Sequence, residues 1–547
     1  METANSKRQA ALKQLGEQTF DVLVVGGGIT GTGIARDAAL RGLKVALVEK
    51  LDFAAGTSSK SSKLVHGGLR YLEHAEFALV FESVNERKRL MKLARHLVRP
   101  LPFLVTNYKG DKRFLATLAL GLWIYDALCF FGNYRNHVTY GAKKTMKLEP
   151  TLKSQGLNGG ILYYDCLTDD ARLTLECALD AQSLGAVVLN HVKAGKLLRA
   201  ADGRVQGAVV EDIETGTTVE VRSKVVINAT GPWSDEVRAL AGEPRILKPT
   251  KGIHIVVDAA RLPVKHALMM NSPRDKRAVF CIPWGLGRTV VGTTDTFFDG
   301  SPDKLEPTKE DVTYLLETAN SYFPQASLVE DDVLSTWSGL RPLLKPDDEG
   351  AGASAVSREH EIYDSPGFVT IAGGKLTTFR LMAAQVVDKA ITQLDVTTRS
   401  TTATRPLPGS QGLDGTDEAL AQLAKSLEGK GLPEGGPEYL AGEYGTRAPL
   451  LLERAAADGL ERLDPELPSI FAQVDLAIED EFARTLDDVL SRRIPLILRA
   501  RDQGLGIAPK VAERMAAKLG WSKERTEREL THYRAVVNGT RAFKTAS

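Results

Sequence analysis

Residues 22–25 and 45–48 are unbroken apolar runs, the pattern of parallel strands covered on both faces. Between them GGGITGTG opens onto IARDAALRG, so strand, glycine turn, helix and strand predict one βαβ unit over residues 21–49. The following segment, GTSSKSSKLVHGG, is rich in Ser and Gly and reads as an ordered loop against something polar. Residues 84–97 predict a basic helix, and FLATLALGLWIYDALCFF (114–131) is a nearly continuous apolar run. A helix over 172–185 leads into the strand AVVLN, and 203–231 alternates around a Glu-Thr-Gly turn, predicting a hairpin that returns into a buried strand at 225–228. Residues 252–258 and 278–294 predict strands of a second sheet. A short strand at 368–372 runs into a glycine turn and a helix. Thr, Pro, Gly and Ser crowd 397–416, which reads as a linker before a mainly helical tail.

Composition narrows the function. Across 547 residues, 70 Lys and Arg face 69 Asp and Glu for a net charge of +1, which argues against a protein that tracks nucleic-acid phosphates. Cys129, Cys166, Cys177 and Cys281 form no C-x-x-C pair, so neither a disulfide scaffold nor a metal cluster is indicated, and a reducing compartment fits. The first twenty residues lack an apolar signal-peptide core, so the protein is expected to stay inside the cell. A helix over 114–131 would reach about 27 Å, short of the roughly 30 Å hydrocarbon core. It also carries Asp126, a costly group at mid-membrane, so it is not expected to span.

Gly26, Gly28 and Gly31 form G-x-G-x-x-G between strand and helix, and Glu49 ends the next strand. Gly26 permits the tight turn, Gly28 the approach of backbone to a pyrophosphate and Gly31 close packing of helix on strand, while the helix N-terminus faces the phosphates. Glu49 suits an adenosine ribose. The motif serves FAD and NAD alike. Gly285 and Gly287 lack a third glycine, so no second nicotinamide fold is visible. A flavin enzyme without one passes its electrons to oxygen, a quinone or a carrier.

Nine blocks in chain order (GGGITGTGIARDAALRGLKVALVEK, DFAAGTSSKSSKLVHGGLRYLEH, LTDDARL, VVINATGPWSD, TKGIHIVV, VFCIPW, VGTTDT, WSGLRPL and AGGKLTTFR) resemble the FAD-dependent glycerol-3-phosphate dehydrogenases of respiration. The tail, with YGTRAPLLLE and LDDVLSRR, resembles that family's C-terminal domain more loosely. The resemblance implies an α/β fold: a Rossmann-like FAD domain of the glycine oxidase and D-amino-acid oxidase type, an antiparallel substrate domain and a C-terminal helical domain. The expected division is an N-terminal extension at 1–19, the FAD domain at 20–75, 155–245 and 330–396, and a substrate and membrane-facing domain at 76–154 and 246–329. The linker at 397–416 and the helical domain at 417–547 follow.

By the same resemblance FAD binds noncovalently. Ser58, Ser59, Ser62, Lys63 and Leu64 are expected along the pyrophosphate or ring, and His66, Gly67 and Gly68 against the isoalloxazine. Val192 is expected at the adenine, with Ala229, Thr230 and Gly231 closing the site. Gly373, Gly374, Lys375, Leu376 and Thr377 are expected to offer backbone N–H groups to the flavin carbonyl end, where such donors stabilise negative charge. The implied substrate is sn-glycerol 3-phosphate, whose phosphate calls for guanidinium forks and an ammonium. Arg341, Arg358 and Lys375 occupy the family's substrate positions, with Arg70 and Tyr71 as further contacts. Oxidation moves hydride from C2 to flavin N5, with His254 as the candidate base and Arg341 as alkoxide stabiliser or alternative.

Nine Lys or Arg lie between Glu86 and Arg113, directly before the apolar run with Trp123 and Tyr125. That arrangement suits an interfacial anchor on anionic lipid. The family resemblance implies a monotopic enzyme, expected on the cytoplasmic face of the inner membrane, that reduces membrane quinone. Two alternatives stay open: a glycerol-3-phosphate oxidase using oxygen, and a non-catalytic flavin-bound membrane interaction protein. The C-terminal domain carries no readable chemistry; it could cover the core, bind a partner or support a homodimer.

Overall fold

The computed structural model describes residues 3–69, 76–111, 114–129, 133–345 and 359–544. The βαβ unit forms the centre of a first sheet. Thr19–Val25 lies between Val45–Val48 and Thr218–Asn228, all parallel, and the row extends to Val187–Leu189 on one side and Phe368–Gly373 on the other. Val22 and Val24 pack with the helices Ile29–Leu40, Asp170–Ser183 and Phe379–Ile391. Leu23 and Val25 pack on the opposite side with the meander Val192–Arg199 and Val205–Asp212. Both faces are dry, which is why these strands read as continuous apolar runs.

The second sheet is built around Thr250–Asp258, paired antiparallel with Arg288–Gly292 and Val333–Arg341. It continues through Ala278–Pro283 and Ala267–Asn271 to Arg99–Tyr108 and Leu157–Leu167. Along Thr250–Asp258 the side chains alternate. Ile253, Ile255 and Val257 enter a core with the helix Lys309–Tyr322, whereas Val256 joins the opposite core, shared with Trp337, Trp284 and the C-terminal helices. His254 falls on that second face.

Three segments expected in the FAD domain pair instead in the second sheet: Leu64–Val65 and Leu157–Leu167 with each other, and Val333–Arg341 with Thr250–Asp258. Strand partners distant in the chain decide this, and alternation within a single strand does not report them. The N-terminal extension is a helix, Ala4–Glu17, capped by Thr3, whose Arg8 is buried against the Asn190 carbonyl and the Asp212 carboxylate. Residues 397–416 run as a strap fastened to the FAD domain: Arg36 donates to the Arg405 carbonyl at 2.7 Å, and the Gly409 N–H donates to Glu176 at 2.7 Å.

The C-terminal domain is locked on by buried charge. Arg172, at the start of Asp170–Ser183, forks onto Glu481 at 2.7 and 3.0 Å, and Arg447 reaches the same carboxylate at 2.9 Å. Burial alone would raise the Glu481 carboxyl, but Arg172 and Arg447 overcome it and leave it at about 2 against 4.5. A depressed carboxylate adds stability that is complete above its unfolded value and is lost as pH falls toward its folded value. Glu481→Gln should therefore cost roughly 3–5 kcal/mol at pH 7, the range for breaking a buried pair. The gap in thermal midpoint between variant and parent should narrow as pH drops from 4.5 toward 2; a gap independent of pH would contradict this account.

Candidate active site

At the C-terminal ends of the first sheet's parallel strands lies a cavity of about 470 Å³, within the range of small-molecule sites. One end is built by the glycine turn. Gly26 has φ +110°, and a Cβ on Gly31 would run into the Gly26 carbonyl oxygen, so chain and helix meet as closely as the motif requires. The helix Ile29–Leu40 points its N-terminus here, and the Ser58 hydroxyl accepts the Ile29 N–H at 2.9 Å. Glu49 lines the cavity, with its oxygens on the Gly27 and Leu51 N–H groups at 2.6 and 2.8 Å. Burial raises its carboxyl despite both bonds.

Gly26, Gly28, Glu49, Ser58 and Val192 share this wall with Ala229, Thr230 and Gly231. Gly373, Gly374, Lys375 and Leu376 close the far end, where Lys375 precedes a short helical turn. The close glycine approach, the helix N-terminus and the acid at the second strand's end fit a dinucleotide. Sequence reasoning did not single out Lys50, Trp233 or Pro342, which also face the cavity. Lys50 sits 4.3 Å over the Trp233 ring, and both side chains bond Asp303 at 3.0 Å. The quoted GPWSD block pointed at this tryptophan; nothing local pointed at Asp303.

Gly31, Ser59, Ser62, Lys63, Leu64, His66, Gly67, Gly68 and Thr377 stand outside this wall. Gly31 acts through packing. Thr377 lies in the helical turn after the cavity's glycines, and the others belong to the segment that runs from the cavity to the second sheet. Thr57 donates to the Leu340 carbonyl at 2.6 Å, and the Trp337 indole donates to the Ser61 carbonyl at 3.1 Å. Lys63 is buried on Asp170 at 2.6 Å and lies 5.3 Å over the Trp337 ring. His66 is sewn to Thr377 through its N–H and its carbonyl, each 3.1 Å from the threonine hydroxyl. The Gly67 N–H bonds Asp165 at 3.0 Å.

His254 is 2% exposed, with its ring stacked 4.7 Å from Trp337 and Nε2 at 2.8 Å from the Ser62 hydroxyl. A Cβ at the cross-strand position Gly292 would collide with the imidazole, so that glycine makes room for the ring. Burial, then the Arg341 and Lys63 charges, push its pKa well below the usual histidine range. Arg341 ends the neighbouring strand, its guanidinium bonded to Asp295 at 3.1 Å and to Thr293 Oγ1 and the Thr294 carbonyl at 3.2 Å. The fold thus gathers His254, Arg341 and Lys63 beside Ser61 and Pro342 of the cavity wall. Arg70, Tyr71 and Arg358 lie outside the described residues, as do Lys112 and Arg113.

The apolar run forms a helix of 14 residues, Leu115–Leu128, and no helix among the described residues is long and apolar enough to cross a membrane. Leu122, Tyr125 and Asp126 face inward, and Asp126 accepts from Asn133 at 2.6 Å while sitting 2.7 Å from His137 Nδ1. Phe114 (82%), Leu120 (61%) and Trp123 (57%) are exposed, joined by Phe77 and Phe81 of the helix Phe77–Leu93. The basic stretch is only partly a surface. Arg87 and Arg95 turn inward, Arg87 onto the buried Asp165 and Arg95 onto Asp417, whose own side chain stays exposed. Lys88 and Lys92 remain exposed and fall on the same helical stripe as Phe77 and Phe81.

Residues 21–388 match the family model described as FAD dependent oxidoreductase, and residues 400–526 that described as the C-terminal domain of alpha-glycerophosphate oxidase. An aerobic glycerol-3-phosphate dehydrogenase of Staphylococcus saprophyticus is 36% identical, with 97% of each chain covered. One from Bacillus subtilis is 39% identical over 89% of each. The solved glycerol-3-phosphate dehydrogenase of Bacillus halodurans, complexed with FAD, superimposes with a TM-score of 0.81 at 33% identity over 99% of this chain and 98% of that one. Glycine oxidase from Bacillus cereus, at TM-score 0.52 and 20% identity over 69% of this chain and 98% of that one, shares the fold. The two-sheet architecture, the dinucleotide cavity and these matches agree, and the chain belongs to the FAD-dependent glycerol-3-phosphate dehydrogenases.

Proposed function

We propose that the chain oxidises sn-glycerol 3-phosphate to dihydroxyacetone phosphate and passes the electrons to a membrane quinone, docked peripherally on the anionic cytoplasmic face of the inner membrane. The observation that carries the chemistry is the basic cluster of His254, Arg341 and Lys63 beside a dinucleotide cavity whose far end carries Lys375. Bound FAD supplies the two-electron acceptor for the C2 hydride. Arg341 and Lys375 are suited to the substrate phosphate and to charge developing on the C2 oxygen. The three acceptor oxygens around Arg341 fix its fork before substrate arrives. His254 takes the hydroxyl proton. It is neutral at pH 7 because its pKa is depressed, and its buried Nδ1 has no hydrogen-bond partner among the described residues. With Nε2–H donated to Ser62, Nδ1 offers its lone pair.

Anaerobic addition of glycerol 3-phosphate should bleach the flavin absorbance of the holoprotein; an unchanged spectrum would overturn the reading and favour a non-catalytic flavoprotein. His254→Asn should slow single-turnover flavin reduction at least tenfold, since general bases contribute about 10²-fold or more; a smaller loss would remove the base assignment. The parent's reduction rate should stay level from pH 8 through pH 6.5 and decline only at more acid pH, where a histidine with depressed pKa protonates. An acid limb centred at the ordinary histidine value would belong to another group.

The match of the tail to a domain described from an oxidase favours oxygen as a second reading of the acceptor. Peroxide formed without quinone as fast as substrate is consumed would select it. For the membrane, Leu120→Asp combined with Trp123→Asp should abolish flotation with anionic vesicles while leaving anaerobic flavin reduction unchanged. Equal flotation of variant and parent would place the contact elsewhere.

A further inference from the structure

Two loops flank the cavity at its Glu49 end: residues 49–56 after the second strand of the βαβ unit, of which 49–51 and 55–56 line it, and residues 190–191, which lead into the lining residues 192–195 of the strand Val192–Arg199. They are joined to one another by backbone bonds, His191 N–H to the Leu51 carbonyl at 2.7 Å and Val192 N–H to the Glu49 carbonyl at 2.8 Å. Neither is anchored only within its own domain. Asp52, wholly buried in the first loop, receives Arg493 through two nitrogens at 2.6 and 2.8 Å and Arg492 Nε at 2.6 Å. Asn190, in the second loop, gives one hydrogen bond to Asp52 and another to the Phe482 carbonyl, both 2.8 Å. His191 Nε2 lies 2.9 Å from Asp488, and the Phe53 and Phe482 rings meet edge to face at 5.2 Å.

Asp52, His191 and Asp488 bring their ligand atoms within 4.8 Å of one another, a spacing that would admit a cation. Two guanidiniums already fill that role: both oxygens of Asp52 are taken by arginine, and Asp488 also accepts Arg492 at 2.9 Å and the Arg484 and Thr485 N–H groups. The cluster is a charged latch between domains.

We propose that the C-terminal domain holds the adenosine end of the FAD site closed, with Arg493 and Arg492 acting through Asp52, and Asp488 acting through His191, as positioning residues for the two loops that border it. Every contact comes from residues 482–493, a single segment with a π-helical turn at Asp488–Arg493. The family's extra domain then has a task at the cofactor, although none of its described residues lines the cavity. The inference rests on the reading that Glu49 and Val192 face the adenosine half, and needs nothing of the substrate or acceptor.

The test is the rate of flavin release from the full-length holoprotein, followed by the rise of free-flavin fluorescence after dilution at a temperature well below unfolding. Arg493→Gln should release FAD at least tenfold faster than the parent, and Arg493→Lys, which keeps charge but loses the fork, should fall between them. Arg514→Gln breaks an arginine fork of similar length, to Asp475 at 2.6 and 2.7 Å, within the same domain and away from both loops. It should leave release within twofold of the parent. His191→Asn, a residue that tolerates the local φ of 53° but cannot reach Asp488, should accelerate release severalfold and serves if Arg493→Gln does not fold. Release unchanged in folded Arg493→Gln or His191→Asn would overturn the proposal, and so would equal acceleration by Arg514→Gln. Parent protein that purifies without any FAD would instead overturn the cofactor reading on which it rests.

Discussion

The arrangement of the loop beside His254 and Arg341 hangs on the Asp170 carboxylate. It is fully buried at the start of a helix that covers the first sheet, and it accepts the Ser61 N–H at 3.1 Å, the Ser61 hydroxyl at 2.7 Å and Lys63 Nζ at 2.6 Å. A carboxylate at a helix N-terminus is favoured by the dipole. Burial nonetheless raises its pKa, with Lys63 the largest opposing influence. From that point the loop is held against the second sheet by Trp337, and Ser62 meets His254. A carboxylate from one layer therefore sets the distance at which the other layer presents its histidine and arginine. Losing either partner would leave a buried charge uncompensated, at a cost of several kcal/mol.

What the sequence made legible was backbone chemistry. A G-x-G-x-x-G turn has few uses between a strand and a helix, and the glycines at Gly373 and Gly374 mark a turn for the same steric reason. Apolar runs revealed strands because burial on both faces leaves a continuous trace. What stayed hidden were pairings between remote charges. Arg493 and Asp52 lie 441 positions apart, Arg172 and Glu481 309 apart, and each reads alone as a surface charge. The same blindness put Leu157–Leu167 and Val333–Arg341 within the bounds expected for the FAD domain although they pair in the second sheet, since register is a property of pairs.

A net charge of +1 concealed how unevenly charge is used. Arg36, Arg41, Arg172, Arg380 and Arg493 are all buried on carboxylates, so much of the near-perfect balance is interior accounting. Arginine suits this use because its guanidinium is weakly hydrated and forks onto a carboxylate. The basic groups next to the cavity combine several supports. Lys63 is paired with the buried Asp170 and stands over Trp337, on which the His254 ring also stacks, and Arg341 is fixed by one carboxylate and two neutral oxygens.

The exposed helix shows why an apolar surface can sit beside a polar reaction without flooding it. Tyr125, on its inner face, donates to Asp165 at 2.8 Å and accepts from Arg87 at 2.7 Å. The same Asp165 accepts the Gly67 N–H, one residue from the His66 backbone that Thr377 holds at the cofactor turn. Asp126 is hydrogen-bonded by Asn133 and His137, so the one carboxylate of an otherwise apolar helix points into the protein beside Tyr125. Rotating the helix about its axis to bury Trp123 would expose Asp126 and unpair Asp165 together. An apolar face that cannot turn inward must either stay in water or find another covering, and Lys88 and Lys92 on the adjoining stripe are the charges that the proposed anionic lipid surface would meet.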